Sequence, residues 1–294
     1  MTILDGNDLS QKIKSEIAIE VEKIKKGGGK TPHLAAVLVG ENPASKVYVR
    51  NKVRSCEQVG FKSTLIQKEA SVSEEELIET VHFLNNDDDI DGFIVQLPLP
   101  GHINEERVTL AIDPKKDVDG FHPVNFGRMA LGLPCYLPAT PFGIITMLDR
   151  YNIETAGKHA VVIGRSSIVG TPMSILLSRK AKVGNCTVTI THSRTKNLSG
   201  ILRQADIIVA AIGIPNFVKP DMVQKGAVVI DVGINRVDDE TAKRGYRLVG
   251  DVDYDGVAPL CSHITPVPGG VGPMTVTSLM INTLKASKKE IYGD

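Results

Sequence analysis

A chain of 294 residues is long for a single core, which leads to an expectation of two α/β lobes. Its 34 basic and 34 acidic side chains cancel, so no global field selects nucleic acid or an anionic membrane, and small molecules are the expected partners. Four dispersed cysteines (Cys56, Cys135, Cys186 and Cys261) form no C-x-x-C pair, the N-terminus lacks a secretory pattern, and no apolar run reaches membrane length. Together these predict a reduced, soluble, cytoplasmic protein.

In chain order, residues 34–39 read as a buried strand ending at Gly40. Asn42 and Pro43 then make an N-cap and first-turn pair for a helix to about Val59, closed by Gly60. Residues 61–66 form a second strand, and Ser73 with Glu76 forms a capping box for the next helix. Residues 93–96 form a third strand, ended by Leu97-Pro98-Leu99-Pro100. A second set starts after Pro141: a helix over 142–151, a strand over 158–163, a glycine turn at Gly164 and a helical pattern from near Ile168. Strands follow at Thr187–Thr191, Ile207–Ala210 and Val228–Asp231. Then come an irregular Pro/Gly-rich stretch over 264–275 and a last helix over 275–288. The alternation of strand and helix implies parallel sheets. The expected fold class is α/β, with two doubly wound lobes, a substrate cleft between them, and a C-terminal lobe that is Rossmann-like.

Three patterns imitate sites without meeting their requirements. Gly29-Lys30-Thr31 resembles the end of a P-loop, but Ile24 stands where the first glycine is needed. Asp87-Asp88-Asp89 lacks the alternation and closing glutamate of a calcium loop and reads as a solvated turn. The seven histidines contain no H-x-x-x-H pair, so no metal site is expected.

Other residues carry chemistry. Strand, glycine turn and helix over 160–177 present backbone N–H groups and a helix N-terminus to a phosphate, although Ser166 replaces the second glycine of the usual G-x-G-x-x-G pattern. The strand Thr187–Thr191 runs into His192-Ser193-Arg194-Thr195 without a carboxylate for a ribose 2′-hydroxyl. With Arg165, this end suits a 2′-phosphate and therefore NADP. Tyr48 and Lys52 lie one helical turn apart on one face. Gln96 ends a strand, and Asp119 precedes a permissive glycine in a loop. Taken singly, Tyr48 and Lys52 read more readily as a surface pair, Gln96 reads equally well as a hydrated strand end, and an acidic loop such as that of Asp119 is usually just solvated.

Their order is more specific. Tyr48-x-x-x-Lys52, Gln96-Leu97-Pro98-Leu99-Pro100, Asp113 through Gly120, Pro141-x-Gly143, Gly164-Arg165-Ser166-x-x-Val169-Gly170 and Pro266 through Thr275 follow one another along the chain. This series resembles the bifunctional methylenetetrahydrofolate dehydrogenase/methenyltetrahydrofolate cyclohydrolase family from about residue 3 to residue 285. The resemblance implies NADP-dependent oxidation of 5,10-methylenetetrahydrofolate and hydrolysis of the product to 10-formyltetrahydrofolate at the same site.

It also implies roles. Lys52 is the general acid/base, Gln96 its hydrogen-bonding partner, Tyr48 a group that orients the folate, and Asp119 the carboxylate for the pterin's amidine-like edge. Leu97, Pro98, Gly269 and Val271 would also touch folate. Gly164, Arg165, Ser166, Ile168, Val169, His192, Ser193, Ile234 and Thr275 would contact NADP. Residues 1–140 with 274–294 would form the folate-binding catalytic domain and 141–273 the NADP-binding domain, in a homodimer. Ala139 and Gly101 depart from residues common in the family, cysteine and lysine, without touching an assigned role. The rivals are a monofunctional dehydrogenase, opposed by the joint presence of Lys52 and Gln96, and a catalytically silent nucleotide-binding protein, opposed by the intact set.

Overall fold

Every strand in the two main sheets runs parallel to its neighbours, as alternating strands and helices require. The structure is a computed structural model that describes residues 1–242 and 245–293. The chain divides into two compact units. One comprises Gln11–Ala139 with Val276–Asp294, the other Met1–Ser10 with Thr140–Thr275.

The chain opens on a short strand, β1 (Thr2–Ile3), which belongs to the second of these units. The first unit holds β2 (His33–Val39), β3 (Lys62–Lys68) and β4 (Gly92–Val95) in the order β3-β2-β4. Central β2 is buried along its whole length and is accordingly all apolar after His33. Edge strand β3 alternates in exposure and carries lysine at both ends. Apolar side chains from β2 and β4 join Leu77, Val81 and Leu84 in one core. The helix carrying those three, Glu74–Asn86, starts on the capping box formed by Ser73 and Glu76.

The second unit continues with β5 (His159–Ile163), β6 (Thr187–Thr191), β7 (Ile207–Ala210) and β8 (Val228–Asp231). An antiparallel hairpin of β9 (Asn235–Asp238) and β10 (Tyr246–Val249) lies outside the main sheet, which β11 (His263–Ile264) re-enters. The sheet order is β1-β11-β8-β7-β5-β6.

Some expected boundaries shift. Residues 1–10, expected in the folate-binding domain, lie with the second unit instead, because β1 completes its sheet edge. There Thr2 N–H donates to Ser262 O at 2.7 Å and Leu4 N–H to Ile264 O at 2.8 Å. The last helix spans Val271–Ser287, four residues earlier than the proline- and glycine-rich sequence suggested. Pro273 falls in its first turn, where a missing N–H leaves no bond unmade. The helix Gly6–Lys26 was not assigned from sequence, although Leu9, Ile13, Ile17 and Val21 recur at helical spacing and are buried.

One device occurs in both units. His33 opens β2 and His159 opens β5. The backbone N–H of His33 donates to Asp91 Oδ2 at 2.8 Å, while its ring joins Asp89 O through Nδ1 at 3.0 Å and Thr64 Oγ1 through Nε2 at 2.8 Å. The N–H of His159 donates to Asp206 Oδ2 at 2.8 Å, and its ring joins Gln204 O through Nδ1 at 3.0 Å and Thr189 Oγ1 through Nε2 at 2.9 Å. A carbonyl oxygen only accepts, so Nδ1 donates in each ring. Each histidine thus ties the start of a central strand to both of its neighbours. His33→Ala and His159→Ala should each lower the free energy of unfolding by about 1–3 kcal/mol. Denaturant titration is the check, and a loss below about 0.5 kcal/mol in either would show that the tie carries no stability.

Candidate active site

The helix Pro43–Val59 follows β2 and begins on the Asn42 side chain, which accepts from Ser45 N–H at 3.2 Å. Its buried positions include Ser45, Val49, Lys52, Ser55, Cys56 and Val59, a stripe at helical spacing. Lys52 therefore stands where the pattern calls for an apolar residue, and it is only 7% exposed. Its Nζ donates to Gln96 Oε1 at 3.2 Å. Among the described residues no carboxylate pairs with it.

Gln96 leaves the end of β4 and extends the ladder by one bond, N–H to Val37 O at 2.9 Å. Its Nε2 donates to Leu97 O at 2.7 Å. That carbonyl only accepts, so the amide orientation is fixed and Oε1 is left for the lysine. Pro98 follows Leu97 through a cis peptide bond. Tyr48, one turn before Lys52, is 39% exposed, and partial burial raises its phenol above the ordinary tyrosine range.

The loop carrying Asp119 is fixed on both sides of it. Phe93 N–H donates to Lys116 O at 3.0 Å, and Asn282 Nδ2 donates to Val118 O at 2.8 Å. Asp117 accepts from His122 N–H at 2.8 Å, Phe121 N–H at 3.2 Å and Asn125 Nδ2 at 2.9 Å. Gly120 has φ +75°, and a Cβ there would lie 2.6 Å from the backbone of Leu137 and Pro138, so the turn admits only glycine. Asp117 and Val118 are buried while Asp119 remains partly open. Asp119 lines a pocket with Leu97, Phe93, Val95, Asp117 and Phe121.

In the second unit β5 has β6 on one side and β7 on the other, so the order reverses there and a crevice opens at the strands' carboxyl ends. The glycine turn lies at that point. Gly164 has φ +113°, and a Cβ on it would come within 2.4 Å of Ala211 O. Ser166, in place of the second glycine, caps the turn: its Oγ accepts from Val169 N–H at 3.1 Å and Gly170 N–H at 3.4 Å. Arg165, Ser166 and Ile168 are exposed, and the helix Gly170–Ser178 begins just beyond. After β6, His192 N–H donates to Thr195 Oγ1 at 2.9 Å, and the resulting turn leaves Ser193 and Arg194 exposed.

Two buried aspartates that sequence reading missed shape the neighbouring loops. Asp251 accepts from Ile212 N–H at 2.7 Å, Gly213 N–H at 3.0 Å and Asn235 Nδ2 at 2.9 Å. Asp231 accepts from Gly233, Asp251 and Val252 N–H groups, while burial pushes its carboxyl up to about 6. Ile234 lies exposed between these anchors. Gly269 O is occupied by Gly6 and Asn7 N–H groups, Val271 is buried, and Thr275 Oγ1 lies 3.0 Å from Thr140 Oγ1. The sequence shows only a glycine near each, Gly233 after Asp231 and Gly250 before Asp251; the structure gives the reason, since a Cβ on Gly233 would strike Asp251 and one on Gly250 would strike Asp231.

Comparison with known proteins completes the description. Residues 4–119 match the catalytic domain and residues 138–291 the NAD(P)-binding domain of the tetrahydrofolate dehydrogenase/cyclohydrolase family. The chain belongs to that family. It is a bifunctional enzyme, a nicotinamide-dependent methylenetetrahydrofolate dehydrogenase and a methenyltetrahydrofolate cyclohydrolase. The bifunctional protein FolD of Bacteroides thetaiotaomicron is 61% identical over 292 residues, covering 99% of this chain and 100% of that one. Among solved structures, the bifunctional FolD of Campylobacter jejuni is 45% identical with a TM-score of 0.93, covering 99% of each chain. The Trypanosoma brucei enzyme, solved with NADP and an inhibitor, is 36% identical with a TM-score of 0.93 over 100% of this chain and 99% of that one.

The Asp117 carboxyl has a consequence for pH. Burial pushes it up to about 7, against the hydrogen bonds from His122 and Asn125 that favour the ionised form. In the unfolded chain the group titrates near 3.8. Between about pH 4 and pH 7 the folded enzyme therefore holds a proton that the unfolded chain has released, and this residue's contribution to stability falls as pH rises through that window. Asp117→Asn should lose less stability than the parent between about pH 4 and pH 7 in thermal melts. Equal pH slopes would contradict the assignment.

Proposed function

We propose that the unit of Gln11–Ala139 with Val276–Asp294 binds folate and carries the proton chemistry, while the other unit holds NADP. The observation that carries this reading is the buried Lys52 amine, held by an oriented amide and by no carboxylate, at the carboxyl end of a parallel sheet. Among the described residues no carboxylate pairs with that amine, and the other buried positions of the stripe carry hydroxyl, thiol or aliphatic side chains.

Hydrolysis then follows. Water adds to the cationic bridging carbon of 5,10-methenyltetrahydrofolate, and one of its protons is released. The other passes to N5 as the carbon–N5 bond breaks, leaving 10-formyltetrahydrofolate. Lys52 takes and returns the proton, Gln96 fixes where the amine points, and Tyr48 orients the folate beside it. Asp119 faces the two parallel N–H donors of the pterin edge, a match of shape as well as charge. Leu97 and Pro98 are further folate contacts on the same unit.

NADP⁺, when bound, supplies a nicotinamide that accepts hydride from the methylene carbon. The residues fit it: the turn after Gly164 leaves Arg165 and Ser166 exposed before the helix that opens at Gly170, and the end of β6 offers Ser193, with no carboxylate to repel a 2′-phosphate. Ser166, Ile168, Val169, His192, Ile234 and Thr275 complete this set. The family resemblance adds a cytoplasmic homodimer.

A turnover assay with 5,10-methylenetetrahydrofolate and NADP⁺, following NADPH and methenyl-folate separately, tests the whole. NADPH with little methenyl build-up is expected, and turnover with NAD⁺ alone would overturn the cofactor reading. Lys52→Met should cut hydrolysis by at least about 10²-fold while NADP⁺ affinity stays within about twofold. Normal hydrolysis in that variant would remove Lys52 from the mechanism.

A further inference from the structure

The last residues of the chain return to the loop that carries Asp119. Tyr292 packs its ring against Tyr136, tilted by 51° with centroids 5.8 Å apart, and the Arg128 guanidinium lies 4.9 Å from its centre. Its hydroxyl meets Asn125 Oδ1 at 2.8 Å. Asn125 is fully buried and uses both ends of its amide. Oδ1 also accepts from Tyr136 N–H at 3.2 Å, and Nδ2 donates to Pro114 O at 3.0 Å and Asp117 Oδ2 at 2.9 Å.

The Tyr136 N–H can only donate and the Pro114 carbonyl can only accept, so the amide cannot flip. Tyr292 is therefore the donor to Oδ1. Asp117 in turn holds the N–H groups of Phe121 and His122, on the far side of Asp119. On the near side, Asn282 from the same C-terminal segment holds Val118 O and Leu137 O at 2.8 and 2.9 Å. The C-terminal segment thus grips the loop before and after Asp119.

We propose that Tyr292 is a positioning residue for folate binding, setting the Asp119 loop through Asn125 and Asp117, with Asn282 as its counterpart on the Val118 side. The proposal rests on the reading of Asp119 as the pterin carboxylate. A carboxylate meeting two parallel donors loses both bonds when its backbone drifts, so the effect belongs in binding rather than in turnover.

Tyr292→Phe removes the hydroxyl and keeps the ring between Tyr136 and Arg128. It should raise KM for both folate substrates by about 3- to 10-fold, the size of one hydrogen bond, with kcat and the KM for NADP⁺ within about twofold. Because the effect passes through Asn125, Asn125→Ser with Tyr292→Phe should be no worse than Asn125→Ser alone. An unchanged folate KM in Tyr292→Phe, additive effects in the double variant, or a parallel fall in kcat and NADP⁺ binding would overturn the proposal. Asp119→Ala separates the two levels. A raised folate KM there beside an unaffected Tyr292→Phe sinks only the relay, whereas an unaffected Asp119→Ala sinks the pterin assignment and the relay with it.

Discussion

A lysine on the buried stripe of a helix is the constraint around which the unit of Gln11–Ala139 with Val276–Asp294 is arranged. An ammonium removed from water costs several kcal/mol unless a partner replaces the lost hydration. Here the partner is one amide oxygen, and that oxygen is useful only if the amide cannot turn. Leu97 O prevents the turn, and Leu97 is held where it is because Gln96 extends the ladder onto β2. Strand register, amide orientation and amine position form one chain of dependence. Each link consists of groups whose hydrogen-bonding roles are fixed by their chemistry.

The nucleotide unit solves a related problem with the opposite charge. Asp231 and Asp251 are almost wholly buried and accept backbone N–H groups from the loops that follow β7 and β8. Loops at the carboxyl ends of parallel strands have no sheet to satisfy them, so buried carboxylates serve as local frameworks. Neutralising either would leave donors unmade in a place where small displacements move the cofactor's surroundings. Proximity of the Gly233 and Gly250 backbones to these carboxylates explains why glycine occupies both positions.

Much of this was legible in the sequence, and the remainder was hidden for physical reasons. β6, β7 and β8 have the bounds expected, because short β-branched runs between turn residues have few other ways to fold. Lys52, Gln96, Asp119 and the glycine turn could be named because their residue types and order along the chain are distinctive. β1 could not be placed, since a two-residue strand has no periodicity and its partner lies at the other end of the chain. Nothing in the sequence separates Asp117 from Asp119. Its difference from Asp119 arises from burial, which sequence does not display when two aspartates stand two residues apart. Tyr292 and Asn125 belong together only through a contact across most of the unit's length.

The paired histidines at the openings of β2 and β5 bear on how such an enzyme divides its labour. In each sheet the ends where strands begin are stapled by a histidine, a threonine and an aspartate, and the ends where strands finish carry the groups proposed to act on folate and NADP. Stability and chemistry are thereby assigned to opposite rims of the same sheet. Residues on the reactive rim are free to be strained, buried with charge or rich in glycine, because the far rim anchors the strands independently. In both units the rim where strands begin is tied by the same three residue types, while the opposite rims differ, with Lys52 and Gln96 at one and the Gly164 turn at the other.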